Sequence, residues 1–145
     1  MKWAEQVVET HYVPKHPDFS TKMQFLIELI EKCCFDNQDP EKILVFSQFV
    51  ETLDVIQECL ETHIFKNSEG KSVKFDVQRD FLRLEGCMSA KERHKAIKLF
   101  NNMKHPSKVM LISTKAGGLG INLTAATRVV LFVIFFFFVR VSNLT

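Results

Sequence analysis

The chain lacks several things that would have settled its class quickly. Its four cysteines, Cys33, Cys34, Cys59 and Cys87, include no C-x-x-C pair, and no histidine stands at zinc-ligand spacing from them. A structural zinc site is therefore not expected, and buried, reduced thiols in an intracellular protein are. The N-terminus, Met1-Lys2-Trp3-Ala4-Glu5, lacks the apolar core of a signal peptide. A formal net charge of +2 gives no global excess that would point to a polyanion partner, so any nucleic-acid site has to be a local patch. No nucleophile–base pair stands out. Ser113 has no identifiable histidine partner, and His94 lies on a charged helical stretch where surface placement is the default. Glycine is scarce too, with only five in 145 residues, yet three of them fall within four residues, at 117, 118 and 120.

What is present describes a globular chain. Apolar residues make up 46% and charged residues 25%, enough for one domain, or part of one, with a sizeable core. Residues 1–20 have weak periodicity, and Pro14-Lys15-His16-Pro17 reads as an extended connector. Trp3 is an anchor without a nameable partner. Ser20 or Thr21 caps a helix whose Met23, Leu26, Ile27, Ile30, Cys33 and Cys34 share a face. Asp39-Pro40 breaks the chain. Ile43-Leu44-Val45-Phe46 is an uninterrupted apolar run, as in a strand covered on both faces. It ends at Ser47-Gln48, and Phe49, Leu53, Ile56, Leu60 and Ile64 follow at helical spacing.

Residues 65–79 are polar and read as a surface loop or insertion. Gly70-Lys71-Ser72 within them imitates a phosphate loop, but position 65 is Phe65 and no strand leads in. Phe81-Leu82-Arg83-Leu84 predicts a short strand ending at Glu85-Gly86. Ser89-Ala90-Lys91-Glu92 is a capping box opening a helix to about Phe100, with Ala96, Ile97 and Phe100 inward. Val109 to Ile112 predicts a buried strand running into Ser113-Thr114-Lys115 and the glycines, and Arg128 to Phe132 predicts another. This alternation argues an α/β fold with a mostly parallel sheet. Right-handed crossovers would put helices on both faces.

In such sheets ligands sit outside the carboxyl ends of the strands. Parallel strands would bring Ser47-Gln48, Glu85-Gly86 and Ser113-Thr114-Lys115 to one rim. Hydroxyls, amides and backbone N–H groups are what a phosphate backbone asks of a protein. Ser113, Thr114 and the N–H groups of Gly117 and Gly118 could cradle a phosphate, with Lys115 adding charge, and Ser47 and Gln48 could hold a second. Arg93, Lys95 and Lys98 could add positive potential, or the lysines could simply line a solvated face. Glu85 could polarise a group on the rim or merely precede a turn. A glycine-rich turn with no ligand is the plain alternative for residues 113–123. A dinucleotide-binding reading fails on Leu123, where a glycine or alanine is needed, and on the missing acidic residue downstream.

These residues resemble a known family. Lys42 to Phe49 looks like motif IV of the Swi/Snf-type chromatin-remodelling ATPases, Leu82 to Gly86 with Ser89 to Arg93 like the segment that follows it, and Ser113 to Phe132 like motif V. The insertion and the leading segment look most like the ATRX-like branch. The resemblance implies a partial helicase C-terminal lobe, RecA-like, over residues 21–132, part of a motor that tracks along double-stranded DNA and chromatin in the nucleus. It implies that Ser47, Gln48, Ser113, Thr114 and Lys115 grip DNA phosphates, and that Gly117, Gly118, Gly120 and Asn122 face the nucleotide cleft. ATP and magnesium would serve the intact enzyme, none binding tightly to this chain alone, and the first RecA-like lobe would be the partner. No catalytic residue, metal ligand or membrane contact is expected within the chain, which alone should be an inert, weak nucleic-acid-binding module.

The pattern is departed from after Phe132. The family's aspartate would stand at Val133, followed by Trp-Asn-Pro and an arginine-bearing motif, but the chain reads Val133-Ile134-Phe135-Phe136-Phe137-Phe138-Val139-Arg140. The expectation is a lobe truncated at its C-terminus, with residues 133–145 an aberrant tail. Valine codons begin with GT and a run of T encodes phenylalanine, so a splice donor and T-rich intron read in frame would produce it. Coding DNA that crosses Val133 with no donor site would sink this idea. The eleven apolar residues from Val129 to Val139 are too few to span a bilayer, which takes about 20. A tail leaving the sheet would be an aggregation hazard.

Overall fold

The computed structural model describes residues 20–35, 41–118, 120–132 and 136–140. The expected connector at 1–20, apart from Ser20, and the Asp39-Pro40 break lie outside them.

Helix α1, Thr21–Ile30, opens where the Ser20 hydroxyl accepts the Met23 N–H at 3.3 Å. That satisfies one of the orphan donors of the first turn. Met23, Leu26, Ile27 and Ile30 are buried as their spacing requires. The helix then widens into a π-helical turn, Glu31–Phe35, which keeps Cys33 and Cys34 inside. Burial pushes the Cys34 thiol up to about 12, so this sulfur is an inert core group. Cys33 and Cys59 are also buried, but Cys87 is exposed, against the expectation of four buried thiols.

Strand β1, Ile43–Ser47, is followed by α2, Val50–Thr62. Strands β2, Ile64–Lys66, and β3, Ser72–Lys74, form an antiparallel pair of their own. Then come β4, Phe81–Leu84, α3, Ala90–Asn101, β5, Val109–Ser113, the one-turn helix α4, Thr114–Gly117, and strands β6, Arg128–Phe132, and β7, Phe136–Arg140.

The main sheet runs β4-β5-β1-β6-β7. Its first four strands are parallel, and β7 is antiparallel to β6. Period-two alternation divides the core. Ile43, Val45, Val109, Leu111 and Val130 point into one cluster with α1, the π turn and α2. Leu44, Leu82, Leu84, Met110 and Ile112 point into the other with Ala96 and Phe100 of α3. The expected α/β sheet with helices on both faces is what forms. Each fully buried Leu, Ile or Phe in these layers stabilises the fold by roughly 1.5–3 kcal/mol.

Three local expectations are corrected. Ile64 does not continue α2: His63 turns extended, and Ile64 enters β2, where it is 59% exposed. Phe49 sits at the N-cap of α2 and is also exposed rather than inward. Segment 65–79 is no plain surface loop either. Phe65 and Phe75 are almost fully buried, their rings 4.4 Å apart, and Phe35 lies 5.5 Å from each. Aromatic packing of this kind adds about 0.5–1.5 kcal/mol per pair to area burial. Gly70-Lys71-Ser72 is part of the turn and strand of this hairpin, with Gly70 at φ +74°. The tail, for its part, does not leave the sheet at 136–140. Its backbone pairs with β6 from Arg128↔Arg140 to Phe132↔Phe136.

Candidate nucleic-acid interface

Register brings the polar strand ends together. Ser47 and Ser113 are direct partners at the carboxyl ends of the adjacent parallel strands β1 and β5. Leu84, the last residue of β4, pairs with Ile112, so Glu85-Gly86 leaves the sheet at the same edge. A Cβ placed on Gly86 would lie 3.6 Å from the Cβ of Lys115, an ordinary contact distance. The three strand ends leave the sheet at one edge, as the parallel reading of the sequence expects.

The two serines do not present their hydroxyls to solvent. Ser47 is fully buried and Ser113 is 3% exposed. The Ser47 oxygen accepts the Phe49 N–H at 3.4 Å, and the Ser113 oxygen accepts the Ala116 N–H at 3.3 Å. Each hydroxyl shapes the turn after its strand. Gln48, Thr114 and Lys115, the residues those turns carry, are exposed.

The glycines divide by physical task. Gly117 ends α4 against the Phe46 ring, and a Cβ there would stand 2.7 Å from the ring edge. Gly118 caps α4, its N–H donating to the Thr114 carbonyl at 3.1 Å, so it is not an unused phosphate donor. Gly120 has φ +66°, a left-handed conformation that favours glycine. Beyond it, Gly120 and Asn122 line a groove of about 780 Å³ against α3, which Gly117 and Gly118 do not reach. The Asn101 side chain pins this loop. Its Nδ2 donates to the Asn122 carbonyl at 2.8 Å, and its Oδ1 accepts the Ala125 N–H at 3.3 Å.

Arg83 is the rim residue that sequence reasoning passed over. Its Nε pairs with Glu85, its Nη1 donates to Gln57 Oε1 at 2.9 Å, and its Nη2 meets Asp54 Oδ1 at 2.6 Å. Glu85 is thus tied to α2 through a guanidinium that it shares with Asp54. The available signal was an arginine inside a predicted buried strand, which demands buried partners.

The capping box forms as expected. The Ser89 hydroxyl accepts the Glu92 N–H at 3.3 Å, and Glu92 Oε2 accepts the Ser89 N–H at 2.8 Å. It opens α3 just beyond the Glu85-Gly86 turn. Among the described residues, no group of three acidic, histidine or cysteine side chains could hold a metal ion. Nor is any described helix long and apolar enough to cross a membrane.

Comparison with known proteins gives a consistent picture. The helicase conserved C-terminal domain matches residues 21–137. The chain is 38% identical over 123 residues to the transcriptional regulator ATRX homolog of Drosophila melanogaster, covering 78% of this chain and 9% of that protein. It is 36% identical over 136 residues to the helicase ARIP4 of Xenopus tropicalis, covering 90% of this chain and 10% of that protein. The chain thus spans about a tenth of the length of these curated relatives. Among solved structures, the C-terminal domain of the Sulfolobus solfataricus SWI2/SNF2 ATPase superposes with a TM-score of 0.62 at 30% identity, over 86% of this chain and 47% of that one. The C-terminal part of the Fun30 ATPase domain gives 0.61 at 31% identity, over 78% of this chain and 31% of that one.

Proposed function

Because the chain belongs to the helicase conserved C-terminal domain family, among its Swi2/Snf2-type ATPases, we propose that it serves as the second RecA-like lobe of an ATP-dependent, double-stranded DNA translocase that remodels chromatin in the nucleus. The observation that carries this reading is the Ser47↔Ser113 register, which sets two polar turns side by side on one rim. Gln48, Thr114 and Lys115 are the side chains that touch DNA phosphates, while Ser47 and Ser113 position them by fixing the turns. Arg83 offsets part of the negative charge of Glu85 at the β4 end, sharing its single positive charge with Asp54.

Gly117, Gly118, Gly120 and Asn122 form one wall of the nucleotide cleft. ATP bound between the lobes supplies the phosphoanhydride whose hydrolysis moves one lobe against the other, and a phosphate grip on this rim converts that motion into a step along DNA. Magnesium would accompany the ATP phosphates, and we assign the carboxylates that hold it to the first lobe. By itself the chain is a weak phosphate-binding module without turnover, since phosphoryl transfer needs a phosphate loop and metal-holding acids.

The test is duplex binding by fluorescence anisotropy across a salt series, alongside a DNA-stimulated ATPase assay. Binding should be non-specific and weaken steeply with salt. Thr114→Ala with Lys115→Ala should lose most of it. Salt-indifferent binding, or turnover by the chain alone, would overturn the proposal.

A further inference from the structure

The groove between α3 and the 120–122 loop has a chemistry that the rim does not explain. Its cationic and histidine side chains are Arg93, His94 and Lys98, its floor is Ile97 and Ile121, and Asn101 ties the two walls together. Among the described residues, no carboxylate lines it. The chain has no Asp or Glu anywhere after Glu92, while the same stretch carries three arginines and five lysines. Both walls beyond the first turn of α3 are drawn from that stretch. None of Arg93, His94 and Lys98 makes an ion pair with a described residue, although acidic side chains are paired elsewhere: Arg83 with Glu85 and Asp54, Arg79 with Asp76 and Asp80.

The opposite side of α3 is the control. There Lys95 shares a cavity with Glu92, Glu85 and Arg83, the mixed pattern of an ordinary solvated helix face. The helix therefore separates a balanced side from an uncompensated positive one. Only the second is closed in by a loop that Asn101 holds at fixed distance.

We infer that this groove is a second nucleic-acid contact, which takes the phosphate backbone of a strand running down the α3 face, away from the rim. From Ala90 to Asn101 the helix is about 18 Å long at 1.5 Å per residue. That accommodates roughly five nucleotides of one strand at 3.4 Å each. His94 and Lys98, about 6 Å apart along the helix axis, face phosphates about two nucleotides apart, and Ile97 and Ile121 offer apolar contact to sugars. The identity of the polyanion rests on the proposed function; the charge asymmetry of the groove does not. Phosphate could equally come from a free nucleotide, and the groove's open length favours an extended backbone over that compact ligand.

The experiment uses the full chain and a labelled duplex, titrated between about 50 and 200 mM salt. Arg93→Gln with Lys98→Gln should flatten the log–log salt dependence by about 1.8, at roughly 0.9 per lost contact. Thr114→Ala with Lys115→Ala should flatten it by about 0.9 on its own, and the two effects should add. Lys98→Glu alone, at an exposed position, is the second variant. It should weaken binding further than Lys98→Gln while leaving the melting temperature unchanged. A slope untouched by both groove variants overturns the inference, even where the rim variant behaves as expected. If the rim variant is silent too, it is the nucleic-acid reading itself that has failed. In the rim-variant background, inorganic tripolyphosphate matched for charge should not displace the duplex. Displacement would make the groove a compact polyphosphate site and overturn the backbone assignment.

Discussion

The Lys42 ammonium lies 2.8 Å from the carbonyl oxygen of Phe100, a residue 58 positions further along the chain. It also donates to the carbonyls of Asn102 at 3.1 Å and His105 at 3.4 Å, and stands over the Phe100 ring. One buried cation thus ties the entry of β1 to the orphan carbonyls at the end of α3. Burial, reinforced by nearby Lys108, holds its pKa below the ordinary lysine value. Lys42→Met should cost about 2–3 kcal/mol, because charged donors are worth about 1.5–3 and the carbonyls would be left unpaired. Urea denaturation of the two chains measures it, and a loss under about half a unit would remove Lys42 from the list of structural contacts.

Gly117 and Gly120 should respond differently to the same substitutions. Gly117→Ala drives a methyl into the Phe46 ring and should destabilise by about 1–3 kcal/mol, with Phe46→Leu relieving part of it. Gly120 has open space around it but a left-handed backbone, so Ala there should cost about 1–2 kcal/mol and Asn much less. Thermal melts of the four variants separate steric crowding from backbone strain.

Arg83→Met should weaken duplex binding although the guanidinium is engaged with Glu85, Gln57 and Asp54. Removing the guanidinium leaves the Glu85 carboxylate without its arginine, one residue before Gly86, whose backbone lies against Lys115. Glu85→Gln added to Arg83→Met should recover affinity. Failure of that rescue would mean that Arg83 acts through fold stability alone.

The Ser89 hydroxyl and N–H both donate to Glu92, at 2.7 and 2.8 Å, and hold its carboxyl below the ordinary glutamate range. A carboxyl depressed on folding adds stability above its unfolded value and loses it as pH falls through the folded one. The stability difference between the chain and its Glu92→Gln variant should therefore be constant near neutrality and shrink as pH drops below the usual glutamate pKa. Chemical denaturation at a series of pH values follows it.

Much of this architecture is legible in the residues because its signals are local. The runs 43–46 and 109–112, the Ser89–Glu92 box and the α1 face each need only a few neighbouring side chains. The misreadings share the opposite property. Ile64 fits a helical period, yet the chain turns extended there because Phe65 must reach Phe35 and Phe75. Tertiary packing overrides local pattern in such places. A hydroxyl at a strand end reads identically whether it faces a ligand or closes a turn, and Ser47 and Ser113 close turns. The Arg83 bridge joins residues that only folding brings together. The lack of acidic residues after Glu92 is legible in the sequence and argues against a dinucleotide site, but only the fold sets α3 against the 120–122 loop.

Strand β1 has both hydrogen-bonding edges occupied by strands that begin only at Val109 and Arg128. On a ribosome adding about 5–20 residues per second, β1 emerges several seconds before either partner exists. Through that interval the run Ile43-Leu44-Val45-Phe46 has two open edges and no sheet to join, although it is the central strand of the finished fold. Its yield in a cell should depend on whatever shields that segment during synthesis more than on the stability of the completed fold.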